Sequence, residues 1–319
     1  MNRRVFNKLV ASVGAGVTFD GFAWAANSSA KNKKPNILFI ITDQQHAKMM
    51  SCAGNKCLKT PAMDSLARDG MRFEKAYCSN PVCVPSRTSM ATGVMSCRLG
   101  AHDNRAGMRI EQLPETVDRN SLGKIMKRAG YATFYGGKVH MCNALTPKQA
   151  GYDTYLVLKY KDKLKGQFES DVLPFTLEGN PDAQHSVNCD KRDDTFKENI
   201  PSGYRIFDNG AVKIKQYQDN PEFAAMVESM DESFGRVLGK LKALDIEDTT
   251  VVIFYSDNGG MSAANFYRPD RRIAKDKLDK AFSTSNLPLR GAKGWLYEGG
   301  IRVPLIIKFL GKGLKGTVC

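Results

Sequence analysis

The sequence contains no cysteine pair at zinc spacing, no low-complexity tract, no internal repeat and no apolar run long enough for a membrane-spanning helix. Those absences set aside a zinc-finger module, a repeat array and an integral membrane protein. A nucleic-acid-binding motif is absent too, although the net charge is +14. Basic runs such as Arg268–Lys280 read as solvated loops. Charge alone names no partner; it suits anionic ones in general, whether nucleic acid, acidic lipid, or sulfated or phosphorylated substrates.

What is present is an ordinary globular composition: 319 residues, 42% hydrophobic and 25% charged, enough for one large or two ordinary domains. Arg3-Arg4-Val5-Phe6-Asn7-Lys8 has the twin-arginine export pattern, followed by an apolar stretch from Leu9 to Phe22 and small residues in Ala23-Trp24-Ala25. Residues 1–25 are therefore expected to be a signal peptide, handled by the twin-arginine machinery and directing the chain to the periplasm or exterior of a bacterium. Residues 26–34 read as a polar linker and 35–319 as the folded domain. The eight cysteines allow disulfides in an exported protein, but their pairing cannot be deduced.

Along that domain, Asn36–Thr42 is a continuous apolar run, the pattern of a strand buried on both faces of a parallel sheet. It ends in Asp43-Gln44-Gln45-His46, and open α/β sheets place ligand groups at such strand ends. Thr60–Gly70 is punctuated as a helix, with Thr60 as N-cap, Pro61 in the first turn and Gly70 as the stop. Met71–Tyr77 predicts a strand, Ser121–Ala129 a helix and Tyr131–Tyr135 a strand that leads to Gly137-Lys138-Val139-His140. Between Thr146 and Asn220 no period stands out, and His185 there reads as an exposed loop residue. Phe223 to Leu241 has the 3-and-4 spacing of an amphipathic helix. Thr250–Tyr255 is a second fully apolar strand, again ending in a carboxylate and an amide, Asp257-Asn258. Two such ends can converge on one hard cation. Lys293 and Arg302 lie in a Gly-rich loop before a last strand, Leu305–Phe309.

The chemistry concentrates at Cys83-Val84-Pro85-Ser86-Arg87. Proline belongs in a first helical turn, so Cys83 is expected just ahead of a helix N-terminus, where free N–H groups favour an anion. Arg87 adds a cationic fork one turn on. A lone cysteine there is more often a buried core residue. Taken with the other strand-end motifs, however, the run resembles the signature of the type I sulfatases, in the alkaline phosphatase-like superfamily. Asp43-Gln44, Gly137–His140, Ser256–Gly260 and Lys293–Pro304 match in the same order, over residues 35 to near 319.

The resemblance implies an α/β fold, a mostly parallel central sheet flanked by helices. It implies hydrolysis of O-sulfate esters of a carbohydrate or aryl substrate. Cys83 would be converted to formylglycine by a formylglycine-generating enzyme, and one divalent ion, typically calcium, would be held by Asp43, Gln44, Asp257 and Asn258 beside the modified Cys83. Arg87 would steady the nucleophile, while Lys138, His140 and Lys293 would grip the sulfate and assist the leaving oxygen. The chain departs from the pattern in Gln44 for a second aspartate, and in Val139 for a tryptophan. A histidine-bearing strand ahead of the long helix and a C-terminal subdomain are expected to be absent, leaving the 35–319 catalytic domain incomplete. Two further readings stay open: a phosphoester or phosphonate hydrolase, and an impaired remnant that only binds sulfated ligands.

Overall fold

The computed structural model describes residues 34–104, 120–141, 145–157, 206–208, 213–215, 218, 220–262, 284–311 and 314–319. The proposed signal peptide, Arg268–Lys280, His185, Cys142 and Cys189 lie outside them, as does nearly all of the linker. Among the described residues no helix is long and apolar enough to cross a membrane.

The expected strands appear as β1 (Asn36–Thr42), β2 (Met71–Tyr77), β7 (Thr250–Ser256) and β8 (Arg302–Lys308, starting three residues earlier than expected), joined by the short β9 (Thr317–Val318). They form one sheet in the order β1-β7-β8-β2-β9. The α/β class holds, but the sheet is mixed. β1 with β7 and β2 with β9 are parallel, whereas β8 runs antiparallel to both β7 and β2. β1 pairs only with β7 among the described residues, and most of it is half-buried rather than enclosed on both faces. The register of β2 on β8 slips between Phe73 and Ala76, leaving Pro304 without a register partner. A bulge there suits a residue that has no N–H to donate to the ladder.

Helix α1 (Pro61–Asp69) precedes β2, α2 (Cys83–Thr92) follows it, and α3 (Leu122–Arg128) comes before β3 (Phe134–Gly137). β3 begins three residues later than its sequence predicts and pairs in parallel with β4 (Thr154–Val157), which the weakly patterned region conceals. A separate hairpin joins β5 (Ile206–Asp208) to β6 (Lys213–Lys215). The long helix α4 (Pro221–Ala243) starts behind Asn220, whose side chain caps it by accepting from the Phe223 N–H at 3.1 Å. α5 (Glu298–Ile301) leads into β8.

Two helix boundaries are held differently from their sequence signals. Thr60 makes no side-chain cap on α1. Its hydroxyl accepts instead from the Ser51 N–H at 2.8 Å, while the Asp231 carboxylate of α4 accepts from the N–H groups of Ala62 (2.9 Å) and Met63 (2.8 Å). Gly70 closes α1 at an ordinary φ of −136°. It is needed for room, since a Cβ would stand 2.4 Å from the Ile307 carbonyl oxygen. The core lies where α1 and α4 cover the sheet: Met50, Met63, Leu66, Phe234, Val252, Phe254 and Ile306 are buried together. A second cluster, including Val84, Ala91, Leu99 and Met141, packs beneath α2.

Candidate active site

Parallel pairing of β1 with β7 sets Thr42 opposite Ser256. The next residues on both strands, Asp43 and Asp257, therefore emerge side by side. Backbone bonds lock this arrangement. The Asp257 N–H donates to the Thr42 carbonyl (3.1 Å), the Gln44 N–H to Asp257 Oδ1 (3.0 Å) and the Gln45 N–H to Ser256 Oγ (3.0 Å). Gln44 adopts a left-handed φ of 58°, a conformation of higher energy for a side chain-bearing residue that the surrounding bonds hold in place. Gln45 and His46 turn inward and are buried. They serve the scaffold rather than the site.

Cys83 is the first residue of α2 rather than the residue before it. Val82 cannot cap with its side chain; Asn104 does so from outside, accepting from the Val84 N–H at 3.0 Å. Cys83 Sγ, Asp43 and Asp257 offer ligand atoms within 4.8 Å of one another. The Lys293 Nζ, buried to 4% exposure, stands 2.9 Å from Sγ. Burial, the largest influence, and the Asp257 charge push the Cys83 thiol up to about 11 against the opposing pull of Lys293. In the unmodified chain the thiol form is thus favoured over the thiolate.

Arg87 lies one turn into α2 and ties the carboxylates together. Its Nε is 2.7 Å from Asp257 Oδ2, its Nη2 3.5 Å from Asp43 Oδ1, and its Nη1 donates to the Lys138 carbonyl at 3.2 Å. The same carbonyl accepts from the Tyr135 hydroxyl at 2.7 Å. That bond fixes the turn after β3, so that Lys138 Nζ reaches both Asp43 oxygens at 2.9 Å. His140 follows at φ 40°, exposed at the rim. Partial desolvation by its neighbours, then the Lys138 charge, lowers its pKa below the ordinary imidazole value.

The two carboxyls are held apart electrostatically. Burial alone would raise Asp43, but hydrogen bonding with Asp257 and the Lys138 and Arg87 cations together hold it well below the usual carboxylate range. Asp257 is fully buried; that burial, with the Asp43 charge, pushes it up despite Arg87. Beside them Asn258 Nδ2 donates to the Gly259 carbonyl (2.8 Å), while its Oδ1 is buried with no hydrogen-bond partner among the described residues. An orphaned carboxamide oxygen next to two crowded carboxylates is the donor set of a hard divalent cation, so the residues fit such an ion.

The structure therefore brings together Asp43, Cys83, Arg87, Lys138, Asp257 and Lys293, with Asn258 alongside Asp257 and His140 at the rim. Gln44 joins through its backbone. Sequence reasoning missed Asn286, which binds both backbone groups of Gly260. Asn286-Leu287-Pro288 reads as a turn, and nothing in that tripeptide signals a partner 26 residues upstream.

A protein-family model described as Sulfatase matches residues 35–172 and 175–317. The chain is 28% identical over 325 residues to an ulvan-active sulfatase of Formosa agariphila, covering 87% of this chain and 57% of that one. It thus spans little more than half the length of that relative. Among solved structures, Ps i-CgsB in complex with k-i-k-neocarrahexaose superposes with a TM-score of 0.61 at 20% identity, covering 90% of this chain and 68% of that one. The phosphonate monoester hydrolase of Agrobacterium radiobacter superposes at 0.54 with 16% identity, covering 90% and 70%.

Proposed function

Since the chain belongs to the sulfatase family, we propose that it hydrolyses O-sulfate esters of a carbohydrate or aryl alcohol, consuming water and releasing the alcohol and sulfate. The observation that carries this reading is the buried Lys293 ammonium 2.9 Å from Cys83 Sγ, in a pocket whose other walls are Arg87, Lys138 and the Asp43–Asp257 pair. It gathers cations where a transferring sulfuryl group would sit, and such preorganised charge is commonly the largest catalytic contribution.

Oxidation of Cys83 to formylglycine would supply, as its hydrate, the attacking oxygen that the protonated thiol does not. A divalent cation such as calcium, held by the oxygens of Asp43, Gln44, Asp257 and Asn258, would neutralise charge on the sulfate. The chain's own residues do the rest. Lys293, fixed against the position-83 side chain, stabilises negative charge on the attacking group and the sulfuryl oxygens. Arg87, its Nε anchored on Asp257, holds the end of α2 against both strand ends. Lys138 turns from Asp43 to the incoming anion, and His140 at the rim is placed to give a proton to the departing ester oxygen. An anionic substrate beside His140 offsets the Lys138 charge and favours the protonated imidazole that this role needs.

Export by the twin-arginine route, with modification of Cys83 by a formylglycine-generating enzyme before translocation, completes the proposal. A sulfated glycan outside the cytoplasm is the natural substrate class, because the ulvan-active relative and the neocarrahexaose-bound Ps i-CgsB structure both concern carbohydrates by name. The fold shared with a phosphonate monoester hydrolase supports a second reading, hydrolysis of phosphoesters or phosphonates. Matched aryl sulfate and aryl phosphate separate the two: faster sulfate turnover is expected, and faster phosphate turnover overturns the sulfatase reading. Peptide mass spectrometry of the Cys83 segment is expected to show formylglycine in the native host; an unmodified thiol in an active preparation overturns the mechanism.

A further inference from the structure

We propose that Asn286 is the positioning residue of this site, setting where the Lys293 ammonium stands by clamping Gly260 from both sides. The role assigned to Lys293 rests on the sulfate-ester reading; the clamp itself does not. Asn286 is 2% exposed, and every polar group of its side chain is engaged. Oδ1 accepts from the Gly260 N–H (3.1 Å), and Nδ2 donates to the Gly260 carbonyl (2.9 Å) and Ser262 Oγ (3.3 Å).

The clamped carbonyl is the link to chemistry. The Gly260 oxygen also accepts from the Lys293 N–H at 3.0 Å, so Asn286 and the Lys293 backbone hang from one atom. Gly260 follows Asp257-Asn258 by two residues, which places the clamp between the β7 strand end and the Lys293 loop. A side chain at position 260 has no room: a Cβ would meet Thr284 Cγ2 at 2.4 Å and Asn286 Oδ1 at 2.9 Å.

Asn286 reaches the β1 strand end as well. Its carbonyl accepts from His46 Nε2 at 3.0 Å, and His46 Nδ1 accepts from the Lys48 N–H at 3.1 Å. A ring whose Nδ1 faces a backbone donor must carry its proton on Nε2, so this bond has a defined direction. One buried carboxamide residue thereby joins the loops after β1 and β7 to the loop that carries Lys293. Gly294 of that loop donates to the Pro81 carbonyl at 2.9 Å, two residues before Cys83, which closes the frame around the sulfur.

The test uses the full chain with Asn286→Ala and the isosteric Asn286→Asp, which keeps an acceptor for the Gly260 N–H but loses both donors. Amide hydrogen exchange is expected to speed up at least tenfold at Gly260 in Asn286→Ala and at Lys293 in both variants, with the α1 and α4 amides unchanged. Wild-type protection at those two amides overturns the clamp, whatever the activity. Aryl sulfate turnover is then read in a double-mutant cycle with Lys293→Ala. Asn286→Ala is expected to lower kcat at least tenfold in the wild-type background and less than threefold once Lys293 is gone, because residues acting through one group are non-additive. Additive losses overturn the route through Lys293. No turnover by the wild type, with the exchange result as expected, counts against the sulfatase reading and leaves the clamp standing.

Discussion

Lys293 and Cys83 show how a pocket can be cationic and still hold its cysteine as a thiol. The ammonium 2.9 Å away favours a thiolate, yet burial and the Asp257 charge outweigh it, leaving the thiol at about 11. Less than one molecule in a thousand is then thiolate at pH 7.5, roughly, by ordinary titration. In the proposed mechanism the attacking oxygen therefore comes from the modified side chain. We expect specific activity across expression hosts to track the fraction of formylglycine in the Cys83 peptide, passing through zero when modification is zero; activity in a fully unmodified preparation breaks that link. Asp257 carries a second expectation at this scale. Asp257→Asn keeps the shape but removes one charge from the oxygen set, while leaving Arg87 with Asp43. Outer partners of metal ligands alone are worth roughly 10–100-fold in affinity. Calcium affinity, read by calorimetry, should therefore fall at least about tenfold, and unchanged affinity would move the metal elsewhere.

At the scale of elements, the docking of α4 on α1 depends on acids facing backbone donors. Asp231 accepts from Ala62 and Met63, and Glu228 accepts from the Lys59 N–H at 2.9 Å. A helix N-terminus favours an anion, yet burial, aided by Asp64 and Glu228, pushes Asp231 up to about 6 from 3.8. The sign follows from linkage. A folded pKa raised above the unfolded one gives stability that is fully present below about 3.8 and is lost as pH rises through 6. Relative to Asp231→Asn, whose side chain does not titrate, the wild type is expected to gain thermal stability as pH falls from 7 to 5. A Tm difference that stays constant across that range refutes the shift. None of this was legible from the residues. Phe223 to Leu241 announced a helix by its spacing, but the partner of Asp231 lies 169 residues away. β3 was misplaced for a related reason: Gly136 and Gly137 carry no strand signal, and pairing with β4 decides where the strand ends. Where pattern and pairing agree, as in Asn36–Thr42 and Met71–Tyr77, the expected boundaries are the observed ones.

At the scale of the whole molecule, the site exists because the strands bring distant polar ends together. Asp43 and Asp257 lie 214 positions apart and meet through one parallel register. That convergence could be read from two apolar runs, each closed by a carboxylate and an amide. The frame around it could not, since Gly259 contacts Gly300 so closely that a Cβ would stand 2.0 Å from the Gly299 carbonyl oxygen. The net charge of +14, of which the expected signal peptide holds only +2 (Arg3, Arg4 and Lys8 against Asp20), adds a field that no single residue supplies. It cannot select sulfate over phosphate, but it sorts substrates by their own charge. Screening is felt over about 10 Å at 0.1 M salt. Under the proposed function, a monosulfated aryl ester would bury its one charge among Lys293, Arg87 and Lys138, inside that distance. A polysulfated glycan would extend beyond it into the field of the chain's net positive charge, where attraction weakens as salt rises. Raising ionic strength from about 0.05 to 0.5 M is thus expected to lower kcat/KM for a sulfated polysaccharide at least tenfold, mainly through KM, and for the aryl ester less than threefold. Equal salt dependence would mean that the positive surface takes no part in substrate capture and that recognition ends at the pocket.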